Sequence, residues 1–357
     1  MATKVVLTGG GTAGHVMPHL ALLPLFEQAG WQPVYIGSRG IEKSIISHYS
    51  IPFYEIQVGK LRRYLSFENL LDVFRLVMGV VQAIFLIGRL RPHLVFSKGG
   101  FVSVPVAVAA WLWRVPVVTH ESDLTPGLAN RIISRFSKQL LYSFPETEAY
   151  LPKERSHWVG LPVRPGLLTG DRDRGLVFCG FEVSDQAPVL LVMGGSLGAQ
   201  RINENLEPIL GDLVEHFRII HLTGRGKGID FEHSRYRSFE FVNEEMADLL
   251  AAADGVVCRA GANSIFELLR LRKPMLLIPL EIASRGDQVH NADCFAKHGF
   301  AHVLREKDMT ASSLKAAIER LFAAASELRE QQDRHSFGDQ SEQLIFQQLS
   351  RQLKGGR

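Results

Sequence analysis

Lys4-Val-Val-Leu-Thr8 runs into Gly9-Gly-Gly-Thr-Ala-Gly14 and then a helical pattern from His15; Pro188-Val-Leu-Leu-Val-Met193 runs into Gly194-Gly-Ser-Leu-Gly198 and then a helical pattern from Ala199. Each is a strand–glycine–helix opening. A short, wholly apolar run marks a strand buried on both faces, as in a parallel sheet. Two such openings about half a chain apart announce two doubly wound α/β domains. The length of 357 residues agrees, being too long for one ordinary core and right for two of roughly 150–200 residues.

Further strands are predicted at Pro33–Gly37, His93–Ser97, Val115–His120 and Leu140–Ser143, and then at Arg218–Thr223, Glu240–Val242, Gly255–Cys258 and Met275–Pro279. Helical spacing lies between them, as at Met246–Ala253, Ile265–Leu271 and Ser312–Ala324. Strands alternating with helices predict parallel sheets, whose ligands sit at the carboxyl ends of the strands. Leu161–Asp185, with Pro162, Pro165, Gly166, Gly170 and a DRDR run, reads as the linker. The domains are placed at residues 1–163 and 164–335. A terminal helix at about 336–357 is expected to pack back on the first, because Leu344, Ile345, Leu349 and Leu353 keep helical spacing.

Composition sets bounds. Hydrophobic residues at 46% and charged residues at 22% are those of a globular protein. With 40 basic and 37 acidic side chains the net charge is +3, so no field advertises nucleic acid. Cys179, Cys258 and Cys294 form no CxxC, which argues against a disulfide framework or a zinc knuckle. The start of the chain has no apolar signal core. The greasiest stretch, Leu76–Gly88, falls short of the roughly 20 residues that cross a bilayer, so no spanning helix is expected.

The motifs each admit two readings. Gly9–Gly14 either cradles an anion on backbone N–H groups, with His15 behind it, or is a tight turn that binds nothing. It is not the dinucleotide fingerprint, since GGGTAG lacks a clean GxGxxG and no acidic residue closes the second strand. In Cys258-Arg-Ala-Gly-Ala-Asn-Ser-Ile-Phe-Glu267, Asn263 and Ser264 stand near a helix N-terminus. Glu267 either completes a capping box with Ser264 or receives two vicinal ribose hydroxyls. Asp287-Gln288 is either a sugar-binding pair or a solvated helix start capped by Asp287. His120-Glu-Ser-Asp123 puts three ionisable groups at a strand end, which packing explains poorly. A metal is not expected there, because neighbouring strand-end side chains diverge. Lys60–Arg91 carries Lys60, Arg62, Arg63, Arg75, Arg89 and Arg91 around an apolar segment. It is either a buried helix or a patch that dips into lipid, with Trp111, Trp113 and Arg114 at the same interface.

The order and spacing of GGGTAGHVMPHLAL (9–22), SKGGFVSVP (97–105), HESDLTPGLAN (120–130), GLPVR (160–164), GGSLGAQRIN (194–203), FVNEEMADLLAAAD (241–254), CRAGANSIFE (258–267) and DQVHN (287–291) resemble the GT-B glycosyltransferases. Within them, the chain is similar to family 28, the lipid-linked N-acetylglucosaminyltransferases of bacterial peptidoglycan synthesis. The resemblance implies two Rossmann-like domains facing across a cleft, the first for acceptor and membrane, the second for UDP-GlcNAc. It implies an inverting transfer of GlcNAc to the C4 hydroxyl of undecaprenyl-diphospho-MurNAc-pentapeptide (lipid I) at the cytoplasmic face of the bacterial cell membrane, as a peripheral protein.

Carried over by residue, the donor site comprises Arg164 and Ser196 at the diphosphate, Val242 and Met246 at uracil, and Ala262, Asn263 and Ser264 at diphosphate and sugar. Glu267 takes the ribose, and Asp287 and Gln288 the GlcNAc hydroxyls. Gly11, Thr12, Ala13, Gly14, His15 and Asn130 face the acceptor; His15 is the first candidate base, with Glu121 and Asp123 behind it. No obligatory cofactor and no metal are implied, and cell-wall assembly proteins are expected as further partners. The sequence departs from the family pattern at Ala13, Asp123, Leu161 and Asp287. Rival readings are a transferase for another lipid such as diacylglycerol, a UDP-GlcNAc 2-epimerase-like isomerase, and a non-catalytic nucleotide-sugar binder.

Overall fold

The computed structural model describes residues 3–59, 67–194, 200–281, 286–335 and 337–354, with backbone alone for 67–73. Ser196, Arg285, Lys60, Arg62 and Arg63 lie outside the described residues. The chain divides into two units, Met1–Pro162 with Gln340–Arg357, and Val163–Asp339.

In the first unit the strands are β1 (Thr3–Thr8), β2 (Trp31–Gly37), β3 (Phe53–Glu55), β4 (Leu94–Ser97), β5 (Val117–Glu121), β6 (Gln139–Tyr142) and β7 (Ser156–Trp158). They form one parallel sheet in the order β3-β2-β1-β4-β5-β6-β7. Alternation along β1 explains its position. Val6 faces one core with Ala83, Ile87, Val106 and Ile133, while Val5 and Leu7 face the other with Leu20, Phe26, Ile345 and Leu349. The terminal helix Ser341–Lys354 thus completes a face of the first sheet, and Phe346 packs on Trp31 with ring centroids 4.8 Å apart and planes tilted by 36°.

The second unit repeats the plan with β8 (Val189–Met193), β9 (Arg218–Leu222), β10 (Tyr236–Phe239), β11 (Gly255–Cys258), β12 (Met275–Leu277) and β13 (Ala301–Val303). Its order is β10-β9-β8-β11-β12-β13, again all parallel. In each unit the order reverses beside the first strand, between β1 and β4 and between β8 and β11. Such a switch point opens a crevice at the carboxyl ends of the strands.

Three expectations are corrected. The strand expected at Glu240–Val242 lies earlier, at Tyr236–Phe239, and the former residues leave it as a loop. The expected linker is folded for much of its length. Arg172–Phe178 is a helix whose N-cap Asp171 accepts from Arg174 N–H at 2.8 Å. Its two arginines are paired, Arg172 with Asp254 at 3.0 Å and Arg174 with Asp248 at 2.8 Å, so the DRDR run ties the helix to the rest of the second unit while staying largely exposed. The helix Phe67–Leu90 is neither wholly buried nor wholly exposed. Ala83, Ile87 and Leu90 enter the core, while Phe74, Val77, Val81 and Phe85 form an exposed stripe at helical spacing. Among the described residues, no helix is long and apolar enough to cross a membrane.

Candidate active site

At the first switch point the turns after β1 and β4 touch. Gly100 has φ +80°, and a Cβ on it would lie 2.4 Å from Gly10 O, so only glycine allows the approach. Every peptide of the β1 turn from Gly9 to Gly11 is held from within. Tyr35 donates its hydroxyl to Gly9 O at 2.7 Å, His15 donates from Nδ1 to Gly10 O at 2.7 Å, and Glu42 Oε2 accepts from Gly11 N–H at 3.4 Å. At Gly11 the negative group is the chain's own carboxylate, and the helices that follow, Ala13–His15 and Met17–Leu20, are short. Gly11 and Thr12 are exposed at the rim, and Ala13, Gly14 and His15 are half-buried.

His15 has the geometry of a base. A carbonyl can only accept, so Gly10 O fixes the proton on Nδ1 and leaves Nε2 the lone-pair nitrogen. Burial holds its pKa below 6.5, against a partial upward pull from Gly10 O and Asp123, so the ring is neutral at pH 7.

The other acceptor-side candidates have internal work. Glu121 is 8% exposed and accepts from Gly127 N–H at 2.9 Å, Asn130 Nδ2 at 2.8 Å and Asp123 N–H at 3.1 Å. With three donors on two oxygens it organises the HESDLTPGLAN loop. Asn130 also accepts from Thr119 at 3.1 Å. Asp123 is half-buried, and its charge acts on His15. His120 donates from Nε2 to Gly160 O at 2.9 Å, so its Nδ1 faces the Lys98 Nζ. His120 and Glu121 thus diverge, as neighbouring strand-end residues do.

Lys98 is a residue the sequence reading missed. It is 1% exposed, and burial lowers its pKa to about 7 against Glu121 and Asp123. Its signal was present as a lysine before two glycines, SKGG, directly after β4; both glycines, Gly99 and Gly100, have positive φ in the structure.

At the second switch point, β11 ends in Arg259-Ala260-Gly261 and the helix Ala262–Arg270 begins. Its N-cap is Gly261, with no side-chain cap, so the capping-box reading of Ser264 and Glu267 is corrected. The first turn, Ala262, Asn263 and Ser264, forms the positive end of the helix and receives no side-chain cap from Gly261. The turn is fixed by Arg259, which donates to Ile278 O at 3.2 Å and pairs with Glu306 at 2.5 Å, and by Asn291, which donates to Ala260 O at 3.2 Å.

Glu267 is one turn further in. Burial raises its pKa, and the Arg164 guanidinium, Nε 3.5 Å from Oε1, counters this. The structure thus brings together Arg164, Glu267 and the helix start. Asp287 is not a cap either: Gly286 holds that position at φ +77°, and Asp287 is buried at the first helical residue. Gln288 Oε1 accepts from Leu280 N–H at 3.0 Å, which turns its amide NH2 the other way. Val242 is buried in the loop after β10, and Met246 opens the helix Met246–Ala252. Leu161, the departure from an asparagine, is 1% exposed, an apolar side chain in an apolar place.

Comparison with known proteins follows this layout. Residues 5–142 match the glycosyltransferase family 28 N-terminal domain, and residues 189–349 match the glycosyltransferase family 28 C-terminal domain. The chain is 50% identical over 351 residues to the UDP-N-acetylglucosamine–N-acetylmuramyl-(pentapeptide) pyrophosphoryl-undecaprenol N-acetylglucosamine transferase of Geobacillus kaustophilus, covering 97% of this chain and 98% of the relative. It is likewise 50% identical over 322 residues to transferase 2 of that name from Bacillus anthracis, covering 89% and 91%. Among solved structures, Acinetobacter baumannii MurG matches with a TM-score of 0.76 at 25% identity, over 98% of this chain and 99% of that one. The calicheamicin glycosyltransferase CalG4 shares the fold, with a TM-score of 0.71 at 15% identity over 99% and 98%.

Proposed function

The chain belongs to glycosyltransferase family 28, and on that premise we propose how its residues carry out the family's reaction. Its architecture is GT-B. It is a UDP-GlcNAc-dependent transferase that moves GlcNAc to N-acetylmuramyl-(pentapeptide) pyrophosphoryl-undecaprenol, lipid I, and so makes lipid II. Identity of one residue in two across 97% of the chain carries this reading.

In the mechanism, the C4 hydroxyl of MurNAc attacks the anomeric carbon of GlcNAc from the face opposite UDP and gives a β-1,4 link. As the bond between the C4 hydroxyl oxygen and the anomeric carbon forms, the hydroxyl proton passes to His15 Nε2, and the bond from the anomeric carbon to the UDP oxygen breaks. The tautomer set by Gly10 O supports His15 in this role. Asp123 stabilises the resulting imidazolium, and Glu121 keeps the acceptor loop in shape. On the donor side, charge developing on UDP meets the N–H groups of Ala262–Ser264 and Arg164. Glu267 receives the ribose hydroxyls, Asp287 and Gln288 hold the sugar, and Val242 meets uracil through its backbone, beside Met246.

The test is radiolabelled UDP-GlcNAc with lipid I, with diacylglycerol, and with no acceptor. Transfer to lipid I alone is expected; transfer to diacylglycerol alone, or epimerisation without acceptor, overturns the reading. Since Arg164 and the helix start face the leaving group, turnover should persist in EDTA. Activity lost to EDTA and restored by Mg2+ would reassign the leaving-group role to a metal.

Membrane docking belongs to the same proposal. Phe74, Val77, Val81 and Phe85 lie exposed on one helix, Trp111 on the next and Trp113 just past its end, and Arg89 and Arg114 flank them. Trp113 Nε1 donates to Ile84 O at 2.9 Å and joins the two helices. Apolar side chains with a basic rim suit an anionic lipid surface. Each phenylalanine contributes about 1.5–3 kcal/mol on burial. The F74E/F85E double variant should therefore partition onto phosphatidylglycerol vesicles at least roughly 100-fold less, with UDP-GlcNAc binding unchanged. Equal sedimentation with vesicles would place the lipid contact elsewhere.

A further inference from the structure

Glu42 was not among the residues singled out from the sequence, and no chemistry of the transfer assigned above uses it. It comes from the segment after β2, has no exposed surface, and sits against the turn that carries His15. Its Oε1 accepts from Ser38 N–H at 2.9 Å and from the Ser38 hydroxyl, and its Oε2 accepts from Gly11 N–H at 3.4 Å. A Cβ on Gly10 would meet Oε1 at 2.5 Å, so the turn is pressed directly onto the carboxylate. The adjoining peptide carbonyl, Gly10 O, is the one to which His15 Nδ1 donates.

We propose that Glu42 is a positioning residue for the transfer: its carboxylate, clamped by Ser38, fixes the Gly10–Gly11 peptides so that Gly10 O holds His15 in the orientation and tautomer of the base. This rests on the reading of His15 as the group that takes the C4 hydroxyl proton. The same placement gives the turn its ligand preference. A buried carboxylate against Gly11 repels a phosphate there, so the turn is suited to a neutral, hydroxyl-bearing part of the acceptor rather than to its diphosphate.

The charges acting on His15 are few. Glu42 and Asp123 favour its protonated form, Lys98 opposes it, and His19 lies one turn along the chain. Removing the Glu42 charge should therefore move the His15 titration to lower pH.

The experiment compares wild type with Glu42→Gln, which keeps the shape and deletes the charge. The kcat for GlcNAc transfer to lipid I should fall roughly 10–100-fold, as for a misplaced catalytic group. The KM for UDP-GlcNAc should stay unchanged, and the acid limb of the pH profile should move down. In a His15→Ala background, Glu42→Gln should cost nothing further, because both act through one group. Titration of the labelled His15 ring by NMR reads the same coupling without any turnover, so it stands even if the wild-type protein proves inactive on lipid I. A wild-type kcat and an unmoved His15 titration in Glu42→Gln would overturn the proposal, as would a full additional loss in the His15→Ala background. If Glu42→Gln fails to fold by circular dichroism, Glu42→Asp takes its place. It retains the charge but withdraws it from Gly11, and it should lower kcat and shift the titration in the same direction.

Discussion

In His15→Ala, kcat for GlcNAc transfer to lipid I falls by about 10²–10⁴, the range that general base catalysis supplies, while UDP-GlcNAc binds as before. The separation of effects is the informative part. His15 stands at the turn after β1, in the first unit, whereas Arg164, Glu267 and Gln288, the residues proposed for the donor, stand in the second. A loss of base should thus appear in kcat and leave the donor dissociation constant alone. The pH dependence has a definite sign. Burial keeps the His15 pKa below 6.5, so Nε2 is unprotonated at neutral pH and competence is lost only as pH falls through the lowered value. Wild-type activity should therefore hold through pH 7 and decline below 6.5, and that acid limb should vanish from the residual activity of His15→Ala. A decrease of less than about tenfold would pass the role of base to another group, Asp123 first.

Glu306→Ala should destabilise the second unit by about 3–5 kcal/mol, because it strands a buried guanidinium. Arg259 and Glu306 pair at 2.5 Å with side chains 8% and 3% exposed. For a unit of this size, that cost lowers the thermal midpoint by roughly 6–20 °C. The functional consequence follows from where Arg259 stands. It also donates to Ile278 O, so the pair fixes the turn between β11 and the helix Ala262–Arg270, whose start is proposed above to receive the donor diphosphate. UDP-GlcNAc affinity should drop in Glu306→Ala at temperatures where the protein is still folded. Replacing both partners, as in Arg259→Met with Glu306→Leu, should restore much of the stability, since no charge is left unpaired, but not the donor affinity. A midpoint within 2 °C of wild type in Glu306→Ala would show that the pair adds little.

The central strands were legible in the sequence because they are buried on both faces and therefore read as continuous apolar runs. KVVLT, PVLLVM and GVVC appear as β1, β8 and β11 within a residue or two. The strands not foreseen, β3, β7 and β13, and the one misplaced, β10, are the four sheet edges. Each has only three or four residues and is partly exposed, so its pattern carries no unbroken apolar signal. The DRDR run misled for a related reason. Charge read locally suggests a linker, and the partners that hold its arginines, Asp248 and Asp254, lie far along the chain.

Local order along the chain was enough to determine two doubly wound domains, the glycine turns at their switch points and the residue types gathered there, because strand burial and turn geometry act over a few neighbouring residues. Which of those residues could do chemistry was decided only by tertiary contacts. Gly10 O selects the tautomer of His15, Glu121 and Asn130 are occupied by their own loop, and Glu42 and Lys98 enter from other strand ends to set the charge. Hydrogen-bond partners and desolvation depend on what the fold brings within a few ångströms, and sequence separation does not record that.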